Sequence, residues 1–339
     1  MDNRLTRKRL SDLLSYEWIF MIIVCIVSIV LWELIYSIGS VKLTAGQRFT
    51  YFYDYTVNSA DNSGFRNELL DKEPFSYDVL KLSSESIMKD NNVLTSRLSI
   101  QEGDVIFTDV VGIEEYRLAV EKKETPTKKV RAFSMIDNIG DVDYSIGSID
   151  VLLDSAKEYL KDNFFVDNYN ETTDGYGAQN IDDAKVKKVF LKRNGKDNRF
   201  RTQSAKNKGV ELEKERIVKL CENVEFMLDF IAEPSNSDAL LRYTKFSQSH
   251  AFTGWGENNY KAWIEIEEAQ GRDNDIYGIN LGKLTGGKKS ITDFVQYKDD
   301  GTKTDVVILY FDFSSYQPHL QYETLSFICS TMKIFMGIQ

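Results

Sequence analysis

Hydrophobic positions along this chain change their spacing several times, and each change marks an element. From 18 to 38 the run WIFMIIVCIVSIVLWELIYSI is apolar or aromatic at nearly every position, with Glu33 its one charge. About twenty such residues make a helix as long as a hydrocarbon core of ~30 Å is thick. A helix apolar on every side suits lipid, because its backbone bonds are internal and its side chains can all face hydrocarbon. Tyr16, Trp18, Trp32 and Tyr36 sit toward the two ends, where amphipathic rings settle at the headgroup level. The pattern predicts a single transmembrane helix over 18–40, with Cys25 inside it.

Beyond 41 the pattern shortens. Residues 48–57, RFTYFYDYTV, alternate and are rich in β-branched and aromatic types, which predicts a strand. Ser63-Gly64 opens a short helical piece through Leu70, and 77–82, YDVLKL, reads as a second strand. Leu94, Leu98 and Ile100 place apolar groups on one side of a helix over 92–101, which Glu102-Gly103 stops. Then 104–111, DVIFTDVV, has the continuous apolar character of a buried strand. Strand, helix, strand, helix, strand at this spacing predicts a parallel βαβαβ unit with right-handed crossovers.

The second half is richer in helices. Val151, Leu152, Leu153, Ala156, Tyr159 and Leu160 recur at helical spacing over 149–160, and another helix begins at Asp183. The longest helix is predicted over 209–232: Val210, Ile217, Leu220, Cys221, Val224, Met227, Leu228 and Ile231 form its apolar face, and ELEKER supplies the opposite, charged one. Residues 237–270 read as helices around a Gly-interrupted aromatic patch that holds Trp255, Tyr260 and Trp263. Residues 277–281 lead to a Gly286-Gly287 turn, 305–313 read as a buried strand, and 323–336 as a closing amphipathic helix.

Charge orients the chain. Arg4, Arg7, Lys8 and Arg9 crowd the segment before the apolar run, and such clusters stay on the cytoplasmic side. The amino terminus is therefore expected in the cytoplasm, with everything from about Val41 outside the cell. A cleavable signal peptide would carry a shorter apolar core and a small-x-small site. Ser37-Ile38-Gly39 matches that site only in part, so the run is read as an uncleaved anchor. The formal net charge of −10 over 339 residues argues against nucleic acid or anionic lipid as a partner of the outer face. Three cysteines, Cys25, Cys221 and Cys329, do not make a disulfide scaffold, so the outer fold must rest on its core. Cys221 lies on an apolar helix face and reads as an inert core thiol.

One segment resembles a known family. Leu98-Ser-Ile-Gln-Glu-Gly-Asp104-Val-Ile-Phe-Thr-Asp109 is similar to the helix–Gly–Asp–strand segment of type 2 extracellular solute-binding proteins. The resemblance covers 48–111. It implies that the Gly closes a helix in the left-handed region, and that the Asp opens a core strand whose far end faces a ligand cleft. One departure is clear: a lipoprotein carries a Cys just after a shorter apolar stretch, whereas Cys25 sits mid-helix. The anchor is then the helix itself.

The expected organisation is a cytoplasmic basic tail (1–17), the membrane helix (18–40), a first α/β lobe (41–131), a helical second lobe (132–290) and a closing strand and helix (291–339). This is an α/β fold class, with an extracytoplasmic, two-lobed, solute-binding-protein-like domain behind one N-terminal membrane helix. Within it, Thr108 and Asp109 at the end of the third strand are the candidate polar ligand contacts. Trp255, Tyr260 and Trp263 are the candidate stacking surface, with core filling as their other reading.

Catalytic signatures are missing. The sequence holds no G-x-S-x-G, P-loop, H-E-x-x-H or G-x-G-x-x-G pattern, and its two histidines, His250 and His319, are far apart. The acidic 167–177 segment lacks the spacing of a calcium loop. No cofactor or metal is expected. The basic stretch 185–201 reads as a solvated helix face, with lipid headgroups or an acidic partner as the sharper alternatives. Three functions remain: solute capture for a membrane transporter or sensor, an assembly role in a cell-envelope membrane complex, and a carboxylate-based hydrolase. The first two are favoured. The bilayer is the expected partner of the helix, with a transporter or another membrane protein as partner of the outer domain.

Overall fold

The computed structural model describes residues 18–39, 47–53, 56–57, 66–67, 69–70, 74–86, 96–97, 103–109, 145–195, 197–242, 275–288, 295–296, 306–312 and 318–338. Of these, 35–39, 56–57, 108–109, 145–146, 295–296, 312 and 318–321 are described by backbone alone. The chain divides into two units, 1–44 and 45–339.

The first unit holds α1 (Trp18–Gly39), 22 residues long. Its large apolar side chains are about half exposed on every side, and Trp32 reaches 70%. Among the described residues no helix is long and apolar enough to cross a membrane. The described side chains of α1 stop at Leu34, whereas its helical backbone continues to Gly39.

A mixed sheet organises the second unit, in an α/β arrangement. Its strands are β1 (Arg48–Tyr53), β3 (Lys81–Ser86), β4 (Val105–Asp109), β6 (Leu240–Arg242), β7 (Ile276–Asn280) and β9 (Val306–Asp312), in the order β3-β1-β4-β9-β7-β6. Parallel pairing joins β3 to β1 and β1 to β4; the remaining pairs are antiparallel. A two-residue β5 (Ser145–Ile146) also pairs with β9, and β2 (Thr56–Val57) pairs with β8 (Val295–Gln296) apart from the sheet. The 48–57 alternation is therefore two strands, with the chain leaving the sheet after Tyr53. The expected strand over 77–82 is displaced to 81–86, because Tyr77 and Asp78 form a turn. Residues 240–242, expected in a helix, are an edge strand.

The parallel pairing of β1 with β3 and β4 matches the strands of the expected βαβαβ unit, whose helices over 63–70 and 92–101 lie largely outside the described residues. Leu69, from the β1–β3 connection, joins the core cluster with Phe49, Tyr51 and Phe107. Arg97, from the β3–β4 connection, pairs at 2.8 Å with Glu85, which is in register with Phe52 on the opposite face. Phe52, Ile106, Val307, Leu309 and Phe311 are also buried, so both faces of the sheet are covered. That double burial explains the continuous apolar runs in β4 and β9, where a half-exposed strand would alternate.

The described helices of this unit are α2 (Ile149–Asn163), the one-turn α3 (Glu171–Asp174), α4 (Asp183–Asn194), α5 (Gln203–Ala232) and α6 (Pro318–Met336). α2, α5 and α6 bring most of the helical side chains that join the core on the first face, α4 packs on α5, and α3 buries none. Ser148, Asp182 and Thr202 cap α2, α4 and α5 through side-chain oxygens that accept from backbone N–H groups of the first turn. From α6, Phe327 stacks on Phe49 with centroids 4.7 Å apart and meets Phe107 at 6.1 Å. Tyr322 stacks on Tyr159 of α2 at 4.6 Å. Asn223 of α5 donates to Ser326 at 3.0 Å, tying the two longest helices of this layer together. Gly286 has φ +108°, and a Cβ there would lie 2.7 Å from the Met336 carbonyl oxygen, so this bend fits the end of α6 only as glycine.

Candidate functional site

Thr108 and Asp109 end β4, where they pair with Val307 and Val306 of β9. The last β1–β4 pair is Tyr53 with Phe107, so these two residues continue past the β1 pairing at the carboxyl edge. Trp255, Tyr260 and Trp263 lie outside the described residues. Among the described residues no group of three or more His, Cys, Asp and Glu side chains is placed to hold a metal.

The structure also assembles a cluster that the hydrophobic pattern conceals. The turn before β3 contributes Ser76, Tyr77 and Asp78. The end of α4 contributes Arg193 and Asn194, the following 3-10 turn Asp197 and Arg199, α5 Glu213 and Arg216, and α6 Glu323. Glu213 is fully buried and receives Arg193 at 2.7 Å and Arg216 at 2.8 Å. Arg193 also reaches Asp78 at 2.8 Å, and Arg199 joins Asp78 at 3.2 Å and Asp197 at 2.8 Å. The Tyr77 hydroxyl donates to Glu213 at 2.7 Å and accepts from Arg193 at 2.7 Å and Asn194 at 3.2 Å. Arg216 extends the network to the Tyr159 hydroxyl at 2.8 Å.

Electrostatics follow from this geometry. Burial works to raise the Glu213 carboxyl, but Arg216 and Arg193 more than offset it and hold the group at about 2. Burial first, and then the Glu213 charge, push the Tyr77 phenol upward. Glu323 accepts from the Ser76 backbone N–H at 3.0 Å and from its hydroxyl, and burial pushes its carboxyl up. Beside it, Ser76, Arg216, Asn223, Tyr322, Glu323 and Ser326 line a cavity of about 10 Å³, room for one water.

This cluster is a staple. Its carboxylates face guanidinium groups, and the adjoining hollow is far smaller than a pocket for a small-molecule substrate. Its chemical effect is to lock the 76–78 turn, and hence the start of β3, onto the helical layer. The expected charged face of 209–232 opposite its apolar stripe held Glu213 and Arg216, and the expected solvated stretch 185–201 held Arg193 and Arg199; instead all four enter one withdrawn ion-pair network. A signal was available in the spacing. Glu213 is seven residues before Leu220, and Arg193 is seven after Val186, so each falls on the buried stripe of its helix.

Comparison with known proteins returns no matching family model, no matching curated protein and no matching solved structure.

Proposed function

We propose that the chain is a single-pass membrane protein whose extracytoplasmic domain captures a solute for a transporter or sensor without catalysing a reaction. In this reading α1 is the membrane span, the basic tail before it is cytoplasmic, and the sheet domain is extracellular. Counting 35–39, which are described by backbone alone, the twenty-two helical residues rise about 33 Å, which matches the hydrocarbon thickness. Apolar side chains exposed all around that helix support a lipid surrounding, since water would leave them uncompensated.

The observation that carries solute capture is the parallel strand order β3-β1-β4, which puts β1 between the two strands that follow it in the chain. That arrangement makes a topological switch between β1 and β4, and open α/β sheets bind ligands beyond the carboxyl ends of strands at such a point. Thr108-Asp109 continue β4 past β1 at that edge. A two-lobed domain resembling type 2 solute-binding proteins would complete the cleft with Trp255, Tyr260 and Trp263 as its stacking surface.

An assembly role in the cell envelope is the second reading. It is supported by the outer face of α5, where Glu211, Lys214, Glu215, Val218, Lys219 and Glu222 form an open surface of mixed charge. Mixed charges on a helix suit a polypeptide partner better than an apolar or sugar-like ligand. The two readings separate on one pair of variants. Trp255→Ala and Trp263→Ala are measured for thermal stability and for binding across sugars, amino acids and peptides. Weakened binding with an unchanged melting temperature supports capture; lowered stability with no ligand found for the parent chain leaves the assembly role.

A further inference from the structure

We infer that the outer face of α4 is a docking surface for anionic lipid headgroups, an inference that rests on the membrane-anchored reading above. Lys187, Lys188, Leu191 and Lys192 occupy one continuous arc of the helix, and all four are exposed. Val186, Phe190 and Asn194 occupy the opposite arc and are buried, so packing fixes which face looks outward. Leu191, 39% exposed, stands among the three lysines.

None of these lysines makes an ion pair among the described residues. The acids at the start of α4 are already committed: Asp182 caps the helix and Asp183 pairs with Lys214 at 2.8 Å. In a chain of net charge −10, a cationic face with an apolar centre is a local reversal of sign. Lysines around an exposed leucine are what a helix lying on a headgroup layer presents, with ammonium groups at the phosphates and the apolar residue at the acyl boundary.

Two further features favour lipid over a protein partner. The tether from α1 to β1 is only residues 40–47, at most about 30 Å of extended chain, so the headgroup layer stays within reach. On α5, Glu211, Glu215, Glu222, Glu225 and Asp229 are exposed along one stripe, which Lys208, Lys214 and Lys219 flank without cancelling its negative charge, so an anionic surface repels it.

The test uses the full chain with Cys25→Ser and a bimane label attached at Leu191→Cys. It is reconstituted into phosphatidylcholine vesicles with and without phosphatidylglycerol, each containing nitroxide-labelled lipid. The expected result is flotation with both vesicles, but bimane quenching that is strong only with phosphatidylglycerol and is relieved by high salt. Each lysine near an anionic surface contributes roughly a fivefold preference. Combined Lys187→Glu, Lys188→Glu and Lys192→Glu should then remove the quenching while flotation persists. Equal quenching on both lipids, or none on either in floated protein, overturns the docking surface and leaves the anchor intact. A bimane shift that follows protein concentration without anionic lipid overturns it in favour of a second copy, with the α5 stripe as its counterpart. Failure to float overturns the anchor and the docking surface together.

Discussion

Arg193 and Glu213, twenty residues apart on successive helices, meet at 2.7 Å with Glu213 wholly withdrawn from water. Around that contact every other connection of the cluster is arranged. Tyr77 bridges the pair through its hydroxyl, Asp78 takes the same guanidinium, and Arg216 holds the carboxylate from its other side. With Arg199 on Asp78 and Glu323 on Ser76, a short turn before an edge strand is bound to four helical segments: α4, the 198–200 turn, α5 and α6.

Removing the carboxylate should cost more than the pair contributes net. Glu213→Ala leaves two guanidinium groups buried without their shared acceptor, and breaking a buried pair in this way costs about 3–5 kcal/mol. Glu213→Gln keeps acceptor capacity on one oxygen and should cost less. Denaturant titration of both variants in one detergent ranks them. Equal stability of Glu213→Ala and the parent chain would show that the cluster stabilises nothing.

Acid should reveal the same group. The Glu213 carboxyl lies at about 2 when folded, against an ordinary 4.5. Because the folded value is depressed, its contribution is present above about pH 4.5 and is lost as pH falls through about 2. The shift corresponds to on the order of 3 kcal/mol. Glu323 has the opposite sign: burial raises its folded value, so its contribution weakens as pH rises above the ordinary carboxylate range. Stability measured from pH 6 down to 2 should fall less steeply for Glu213→Gln than for the parent chain. Parallel curves would contradict the depressed value.

Gly209 sits inside α5, where alanine would normally add about 1 kcal/mol through helix propensity. Here a Cβ would lie 2.2 Å from the tip of the Phe190 ring and 2.8 Å from Phe200, both of them buried. Overpacking of this kind costs about 1–3 kcal/mol. Gly209→Ala should therefore destabilise, by roughly 1 kcal/mol net, and a rise in melting temperature would mean that α4 and the 198–200 turn yield freely.

How far the fold could be read from the sequence depended on what each residue buries. The 3.6-residue spacing of Leu152, Leu153, Ala156 and Leu160 locates α2, because its apolar side packs on the sheet and its polar side does not. The apolar run of 306–312 locates β9, because both of its faces are covered. Residues 77–82 mislead, since Tyr77 and Val79 have strand-like types but serve a turn whose conformation is held by distant arginines. ELEKER misleads for a related reason: a charged residue normally faces water, and only its partner shows otherwise. Arg193, 20 residues before Glu213, has no local signature of that pairing. Of the candidate ligand site, the position of Thr108-Asp109 at the end of β4 follows from strand order, whereas the aromatic patch falls outside the described residues.

Thiol chemistry offers a check on the two longest helices of the core layer together. Cys221 on α5 and Cys329 on α6 are both free and fully buried. Burial pushes each thiol up to about 12, leaving very little thiolate at neutral pH. Cys329 also sits 3.7 Å from the Asn223 carbonyl oxygen, so it lies in the seam where α6 meets α5. A maleimide can then reach the Cys329 sulfur only when that seam opens, and Cys221, beside Tyr169, only when the core around it opens, so each rate reports an opening. Cys25, exposed on α1, is the one thiol free of this restriction. The native chain in detergent should therefore take at most one label per molecule by intact mass, and three after denaturation. The Cys25→Ser variant should stay unlabelled until denatured. Rapid labelling of that variant in native conditions would mean that α5 and α6 do not form the closed layer on which the site assignments rest.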